Sequence, residues 1–179
     1  GTNWTDGDCY KWIEALARHY RITAAPDLLE KMDYWIDVIG QAQSPDGYLS
    51  TNFWNNPEGR LQMPYFHELY NMGHLLTAAS VHYRATGQRH FIDIAQQNAD
   101  FLYRQFSSRP PRLIHFPWNP SVYMGLVDLY RVTGKREYLT LAGILIENRG
   151  SSPGGGTHRN GGTDQTQDRV PLREASQAV

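Results

Sequence analysis

A short motif, Tyr-Arg-x-Thr, occurs three times in the sequence and restricts the fold more than any other feature. The copies begin at Tyr20, Tyr83 and Tyr130, at unequal intervals, and the last two run directly into Gly87 and Gly134. Glycine readily adopts the left-handed conformation that ends many helices. The repeat therefore predicts helical hairpins in series, with each copy closing one helix before the next begins.

The spacing of apolar residues predicts six helices. They cover residues 8–21, 26 to a turn at 44–47, 65–86, 89–106, 120–133 and 136–148. Asp6 is expected to be the N-cap of the first. No segment has the sustained alternation of a β-strand, so the fold class is all-α. Long loops between the repeats favour a closed (α/α)6 toroid of helical hairpins over a regular solenoid, and this chain would supply about its first half.

The last part of the chain differs in composition. Residues 151–168 are rich in glycine and polar residues and are expected to form a flexible loop. Residues 170–179 resemble the start of a helix that has no C-terminal cap. We therefore expect residues 1–179 to form the N-terminal half of one domain that continues beyond Val179.

Composition excludes several classes of function. The formal net charge of -1 over 179 residues gives no electrostatic basis for binding nucleic acid or an anionic membrane. No apolar run approaches the ~20 residues of a membrane span. Cys9 is the only cysteine, which excludes an internal disulfide and a thiolate zinc cluster within the chain. The compartment stays open.

Two histidines in the third helix are candidates for ligand binding. His67 and His74 are seven residues apart, which separates their imidazoles by about 10 Å along a helix. They cannot share one zinc ion, unlike histidines four residues apart. Each could hydrogen-bond a ligand or lie satisfied in the core.

The turn after the second helix carries Asp46 and Tyr48. A carboxylate and an aromatic ring at this position could bind sugar hydroxyls and stack on a sugar. Alternatively, Asp46 closes the turn and Tyr48 packs in the core. Glycoside hydrolysis needs two carboxylates across the scissile bond, and spacing alone identifies no such pair.

Several stretches resemble motifs of one carbohydrate-active family. They are Asp8-Cys9-Tyr10-Lys11-Trp12-Ile13-Glu14-Ala15, Ala42-Gln43 with Asp46-Gly47-Tyr48-Leu49, His67-Glu68-x-Tyr70-x-Met72-Gly73-His74, Tyr138-Leu139-x-Leu141-Ala142 and Val170-Pro171-Leu172-Arg173-Glu174. On these motifs the chain resembles glycoside hydrolase family 127, the β-L-arabinofuranosidases, over nearly its whole length.

The resemblance implies an (α/α)6 barrel and retaining hydrolysis of terminal β-L-arabinofuranosyl or related pentose or deoxysugar residues. The substrate would be a plant-derived oligosaccharide or glycoconjugate. The family uses a cysteine thiolate held on zinc and a glutamate acid/base, both in the later half of the barrel. Cys9 lies where the family usually has valine. We therefore expect no catalytic residue and no zinc ligand in this chain, which would be inactive by itself.

The resemblance also assigns candidate site residues. His67 matches a histidine that contacts the sugar, and Asn119 replaces a second such histidine. Val122 and Tyr123 also depart from the family pattern. The predicted substrate-binding residues are His67, Asp46, Tyr48, Asn119 and His74, around the barrel mouth.

Two other functions are consistent with the sequence. One is a non-catalytic glycan-binding or scaffolding toroid, and the other is a zinc-independent (α/α)6 sugar hydrolase or epimerase. Half of a ring would expose two apolar faces, so a homo-oligomer or aggregation is also expected.

Overall fold

The computed structural model describes residues 2–114, 116 and 119–148. These residues form six α-helices and no β-strand, which confirms the all-α prediction. The α-helices are α1 (Thr5–Thr23), α2 (Pro26–Ala42), α3 (Glu68–Thr86), α4 (His90–Phe106), α5 (Ser121–Thr133) and α6 (Arg136–Asn148), and short 3-10 helices lie at Pro57–Gly59, Pro64–Phe66 and Pro111–Leu113. The predicted loop at 151–168 and helix at 170–179 lie outside the described residues.

The helices are arranged in two layers. Helices α1, α3 and α5 pack side by side, and α2, α4 and α6 cover them on one side. Helix α3 lies in the middle, and most of its side chains are buried. Alternating helices in two layers are what a segment of a helical toroid requires. None of the helices in the described part of the chain is long and apolar enough to cross a bilayer.

Helices α1, α3 and α5 begin at the same end of the layer. The N–H of Gly7 in α1 donates to Asn71 Oδ1 in α3 over 3.0 Å, and the Ser121 hydroxyl of α5 lies 3.1 Å from the carbonyl oxygen of Tyr70. The three helices are therefore parallel. The long loops at 43–67 and 107–120 consequently meet at this end, next to the first turns of α3 and α5.

Glycine allows the closest helix contact. Gly73 of α3 faces the backbone of Ser121 and Val122, and Gly125 of α5 faces the backbone of Gly73. A β-carbon at either glycine would overlap backbone atoms that cannot rotate away. The glycine in the His-Glu-x-Tyr-x-Met-Gly-His motif is therefore a requirement of the α3–α5 contact.

The Tyr-Arg-x-Thr repeat is a helix-ending device, as its position predicted. In each copy the tyrosine carbonyl accepts a hydrogen bond from a left-handed residue four positions later, namely Ala24, Gly87 and Gly134, over 2.7 to 2.8 Å. The threonine hydroxyl donates to the carbonyl four residues before it and accepts the backbone N–H two residues after it. The donors are Thr23, Thr86 and Thr133. The threonine thus satisfies one helix-end carbonyl and one N–H of the connection at once.

Two predicted details at helix starts are wrong. Helix α3 begins at Glu68, not at residue 65, because His67 adopts a left-handed conformation with φ 59°. Asp6 is not an N-cap, since it lies inside α1, where its carboxylate accepts the N–H and hydroxyl of Thr51 over 2.9 and 2.6 Å. It fastens the loop at 43–67 to α1 instead.

Candidate functional site

His67 lies where the long loop enters α3. Its positive φ is unfavourable for a non-glycine residue and is held in place by neighbouring groups. Nδ1 lies 2.6 Å from the Tyr65 carbonyl oxygen, which can only accept, so Nδ1 carries a proton. In the neutral ring, Nε2 is then the acceptor nitrogen. The ring lies edge-on between Trp4 and Tyr70, at centroid distances of 5.4 and 5.7 Å.

Tyr70 connects His67 to the other polar groups of this surface. Its ring contacts His74 edge-on at 4.5 Å, and its hydroxyl accepts a 3.0 Å hydrogen bond from Lys11 Nζ. Lys11 also pairs with Asp8 at 2.6 Å, and these two partners raise its pKa, so it stays cationic. The two histidines thus lie on one helix face, joined through a tyrosine.

His74 is partly buried on α3, one turn after Tyr70. Burial, and secondly the positive charge of Lys11, lower the pKa of His74. Its imidazole is therefore neutral at pH 7 and can both donate and accept a hydrogen bond.

Asn119 joins this surface from the start of α5. The Ser121 hydroxyl lies 2.9 Å from Asn119 Oδ1 and 3.1 Å from the Tyr70 carbonyl oxygen, so two acceptors share its single proton. The Asn119 oxygen is thereby turned toward Ser121, and the NH2 end of the amide points the other way. Asn119 is thus linked to the backbone carbonyl of Tyr70 through Ser121, whereas His67 and His74 contact the ring of Tyr70.

Tyr48 does not line this surface. The side chain is 0% exposed, so it packs in the core, which was the second of the two interpretations of the turn. Its hydroxyl donates to Glu68 Oε1 over 2.6 Å, and the Arg60 guanidinium covers its ring at 4.0 Å from the centroid. A sugar stacked on Tyr48, the first of those interpretations, is not supported by this packing, and a role of Tyr48 in substrate binding stays a prediction.

Asp46 belongs to the same supporting network. One carboxylate oxygen accepts the Tyr48 N–H over 3.1 Å, and the other accepts a hydrogen bond from Arg60 over 3.1 Å. The residue therefore shapes the loop that leads to His67. Direct contact between Asp46 and a sugar stays a prediction.

Sequence reasoning missed the residues that support the site. Lys11 and Tyr70 stand in the sequence only as parts of longer motifs, and no local pattern marks Glu68 as a buried carboxylate. Their contacts join positions 59 and 20 residues apart in the sequence. The one available signal was that Glu68 and Tyr70 lie between the two candidate histidines.

The resemblance implies a thiolate bound to zinc, and Cys9 is the only cysteine of the sequence. Cys9 lies in an apolar hollow of about 460 Å³ with Trp35, Val38 and Trp54. Burial, and secondly the charge of Asp6, raise the pKa of the Cys9 thiol, so it is protonated at neutral pH. Among the described residues, the one group of three ligand-type side chains that could hold a metal excludes Cys9. Cys9 therefore does not fit a thiolate zinc site.

The two-layer arrangement of alternating helices defines the class of the fold as a segment of a helical toroid. Comparison with known proteins gives the family. The profile of the β-L-arabinofuranosidase GH127 catalytic domain matches residues 1–179. The chain belongs to glycoside hydrolase family 127.

Relatives agree with this assignment. A non-reducing end β-L-arabinofuranosidase of Bifidobacterium longum subsp. longum is 33% identical over 159 residues, covering 86% of this chain and 24% of the relative. The crystal structure of a GH127 β-L-arabinofuranosidase from Geobacillus stearothermophilus T6 is similar with a TM-score of 0.78 and 35% identity, over 86% of this chain and 24% of that one. A GH127 β-arabinofuranosidase structure has a TM-score of 0.83 and 31% identity, over 97% of this chain and 28% of that one. The chain spans about a quarter of the length of these relatives.

Proposed function

We propose that this chain forms part of the sugar-binding wall of a β-L-arabinofuranosidase-like glycoside hydrolase. The complete domain would cleave terminal β-L-arabinofuranosyl or related pentose or deoxysugar residues from an oligosaccharide or glycoconjugate, with plants as the expected source. Its catalytic groups and zinc ligands would lie outside the described residues.

The observation that carries the proposal is the fixed orientation of His67. A strained backbone and a protonated Nδ1 hold the imidazole at the end of the layer where the loops meet. A ring fixed in this way loses little entropy when its Nε2 accepts a hydrogen bond from a sugar hydroxyl. Strain at a residue that the surroundings hold in place is common at binding sites.

The groups linked to Tyr70 carry the chemistry that binding of a furanose ring requires. The exposed Trp4 and the edge of Tyr70 offer apolar area beside His67, while Lys11 and the NH2 end of Asn119 can donate to hydroxyl oxygens. Sugars present donors and acceptors around an apolar ring face, which matches this mixture. An amide at Asn119 cannot become cationic, so we propose that the preferred sugar differs from that of relatives with histidine there.

The test is release of arabinose from p-nitrophenyl β-L-arabinofuranoside by the complete gene product. Replacing His67 by Ala should lower kcat/KM about 10- to 100-fold, as expected for losing one or two buried hydrogen bonds to substrate. His19→Ala is the control, because His19 is exposed on α1. Equal kcat/KM in wild type and His67→Ala would contradict the role of His67.

Binding and catalysis can be separated in the same preparation. Sugar binding by calorimetry without release of arabinose would favour the non-catalytic glycan-binding toroid. Arabinose release that persists after chelation would favour a zinc-independent enzyme. Activity that is lost on chelation and restored by zinc supports the proposed hydrolase.

A further inference from the structure

Three potential metal ligands meet between the layers, apart from the surface around His67. Asp33 lies in the middle of α2, His82 in the last turns of α3, and His90 is the first residue of α4. One ligand atom of each lies within 4.8 Å of those of the other two. The group therefore joins three helices near the α3–α4 connection, and α3 begins with His67 at its opposite end.

His82 is the unexplained member of this group. Its side chain is 0% exposed, and neither Nδ1 nor Nε2 has a hydrogen-bond partner. Buried polar atoms are nearly always paired, because an unpaired one keeps the whole cost of its desolvation. Its ring lies edge-on to His90 at 5.4 Å and to Phe91 at 5.8 Å, contacts that satisfy neither nitrogen. Burial, and secondly His90, lower the pKa of His82 to about 4, so the ring is neutral, as a metal ligand must be.

Asp33 and His90 are also spaced as ligands rather than as a hydrogen-bonded pair. Asp33 Oδ1 lies 3.5 Å from His90 Nε2, which is longer than an ordinary hydrogen bond. Oδ1 is inaccessible to solvent and has no hydrogen-bond partner. Ligands about 2.0–2.1 Å from a tetrahedral zinc ion are about 3.4 Å from each other, close to this separation.

We propose that Asp33, His82 and His90 bind a zinc ion that ties α2 to the α3–α4 hairpin. Two imidazoles and one carboxylate are ligands that zinc accepts, and solvent can supply the fourth position because Asp33 and His90 are partly exposed. Calcium and magnesium prefer sets made of oxygen atoms, so they should bind far more weakly. This site is separate from the thiolate zinc implied by the resemblance, since no cysteine takes part.

The proposed ion would be structural. The carbonyl of His82 accepts the hydrogen bond from the Thr86 hydroxyl that ends α3, so the ion would bind at the last turns of that helix. Zinc at this point would fix the outer helix α2 against the end of α3 and the start of α4. Because α2 and α4 pack together sparingly, an ionic link there adds a contact that the apolar core does not provide.

The experiment is zinc titration of the metal-free 179-residue chain by calorimetry, with Co²⁺ as a spectroscopic substitute. We expect one zinc per chain and a rise in Tm of about 5–10 °C at a zinc concentration 100-fold above Kd. The cobalt form should show d–d bands without thiolate-to-cobalt charge transfer. Charge transfer would assign the ion to Cys9 and overturn the proposal, as would the absence of zinc binding.

Variants at the two partly exposed ligands complete the test, since neither leaves a cavity in the core. Asp33→Asn and His90→Gln should each weaken zinc binding at least about 10-fold and abolish the rise in Tm. Asp37→Asn on α2 and His19→Gln on α1 are exposed controls and should bind zinc as the wild type does. Circular dichroism of each metal-free variant verifies its helix content. Equal zinc affinity in wild type, Asp33→Asn and His90→Gln would overturn the proposal.

Discussion

The Tyr48 hydroxyl donates a 2.6 Å hydrogen bond to Glu68, whose side chain is buried in the core. The N–H of Leu61 reaches the same carboxylate, at 3.1 Å from each oxygen. Two parts of the loop at 43–67 are therefore joined to the first residue of α3. Glu68 directly follows His67 in the chain. This hydrogen-bond network therefore fixes the position of His67, the candidate sugar-binding residue.

Replacing Tyr48 by Phe should lower the free energy of unfolding by about 1–3 kcal/mol, because it leaves the buried carboxylate short of one donor. Burial, and secondly the Glu68 carboxylate, hold the pKa of Tyr48 well above its usual range, so the wild-type hydroxyl is always able to donate. Urea denaturation gives the measurement. Tyr34→Phe is the control, since Tyr34 is 63% exposed, and a loss of equal size there would argue against the network.

Glu68 should make stability depend on pH. Burial raises the pKa of Glu68 above 4.5, although Tyr48 and the Leu61 N–H oppose the change. The folded state then binds the proton of Glu68 more tightly than the unfolded chain does. The stability that this proton adds to the fold is fully present below about pH 4.5 and is lost as pH rises through the folded-state pKa.

Glu68→Gln isolates this contribution. The free energy of unfolding of the wild type relative to that of Glu68→Gln should fall as pH rises from about 4.5 toward neutrality, because the variant has no proton to release there. Denaturation curves across this range supply the comparison. A difference that is constant with pH, or that increases, would show that the pKa of Glu68 is not raised.

The helix-ending repeat predicts opposite effects at two equivalent positions. Ala24→Gly should stabilise the protein by about 1 kcal/mol, because Ala24 pays for a left-handed conformation that glycine adopts freely. Gly87→Ala should destabilise it by a similar amount, since a β-carbon there meets no neighbour and only the backbone is strained. Thermal unfolding measures both. If Ala24→Gly and Gly87→Ala shifted the Tm in the same direction, the two positions would not play the same part in ending their helices.

The close approach of α3 and α5 should not tolerate a methyl group. Gly73→Ala is expected to cost about 3 kcal/mol, because the added carbon meets the backbone of Ser121 and Val122. Gly143→Ala in α6 is the matched control, where open space and helix propensity favour alanine by about 0.5–1 kcal/mol. Chemical denaturation distinguishes the two, and similar stability of the two variants would be evidence against the contact.

The helices were predictable from sequence where the signals are local. The start of α2 at Pro26 and the ends of α3 and α5 before Gly87 and Gly134 agree with the prediction, because proline in a first turn and glycine after a last turn act within a few residues. The start of α3 was not predictable, since the conformation of His67 depends on groups supplied by the surrounding fold.

The candidate site was predictable only in part. His67 and His74 stand out in the sequence, but Tyr48 could equally face a ligand or the core, and its burial became visible only with Glu68 opposite it. Asp33, His82 and His90 come from three helices and have no spacing that marks a metal site. The burial of Tyr48 and the grouping of the three potential metal ligands depend on contacts between segments that are far apart in the sequence. The periodicity of apolar residues does not report such contacts.

The two ends of the hairpins tolerate change differently. The links at 24–25, 87–89 and 134–135 are short and closed by threonine caps, whereas the loops at 43–67 and 107–120 are long. Extra residues in a long loop cost little, because closure entropy grows only with the logarithm of loop length. An insertion in a short link would instead separate a threonine from the N–H that it accepts. The two long loops beside His67 can therefore change in length and sequence while the helices that support them stay the same.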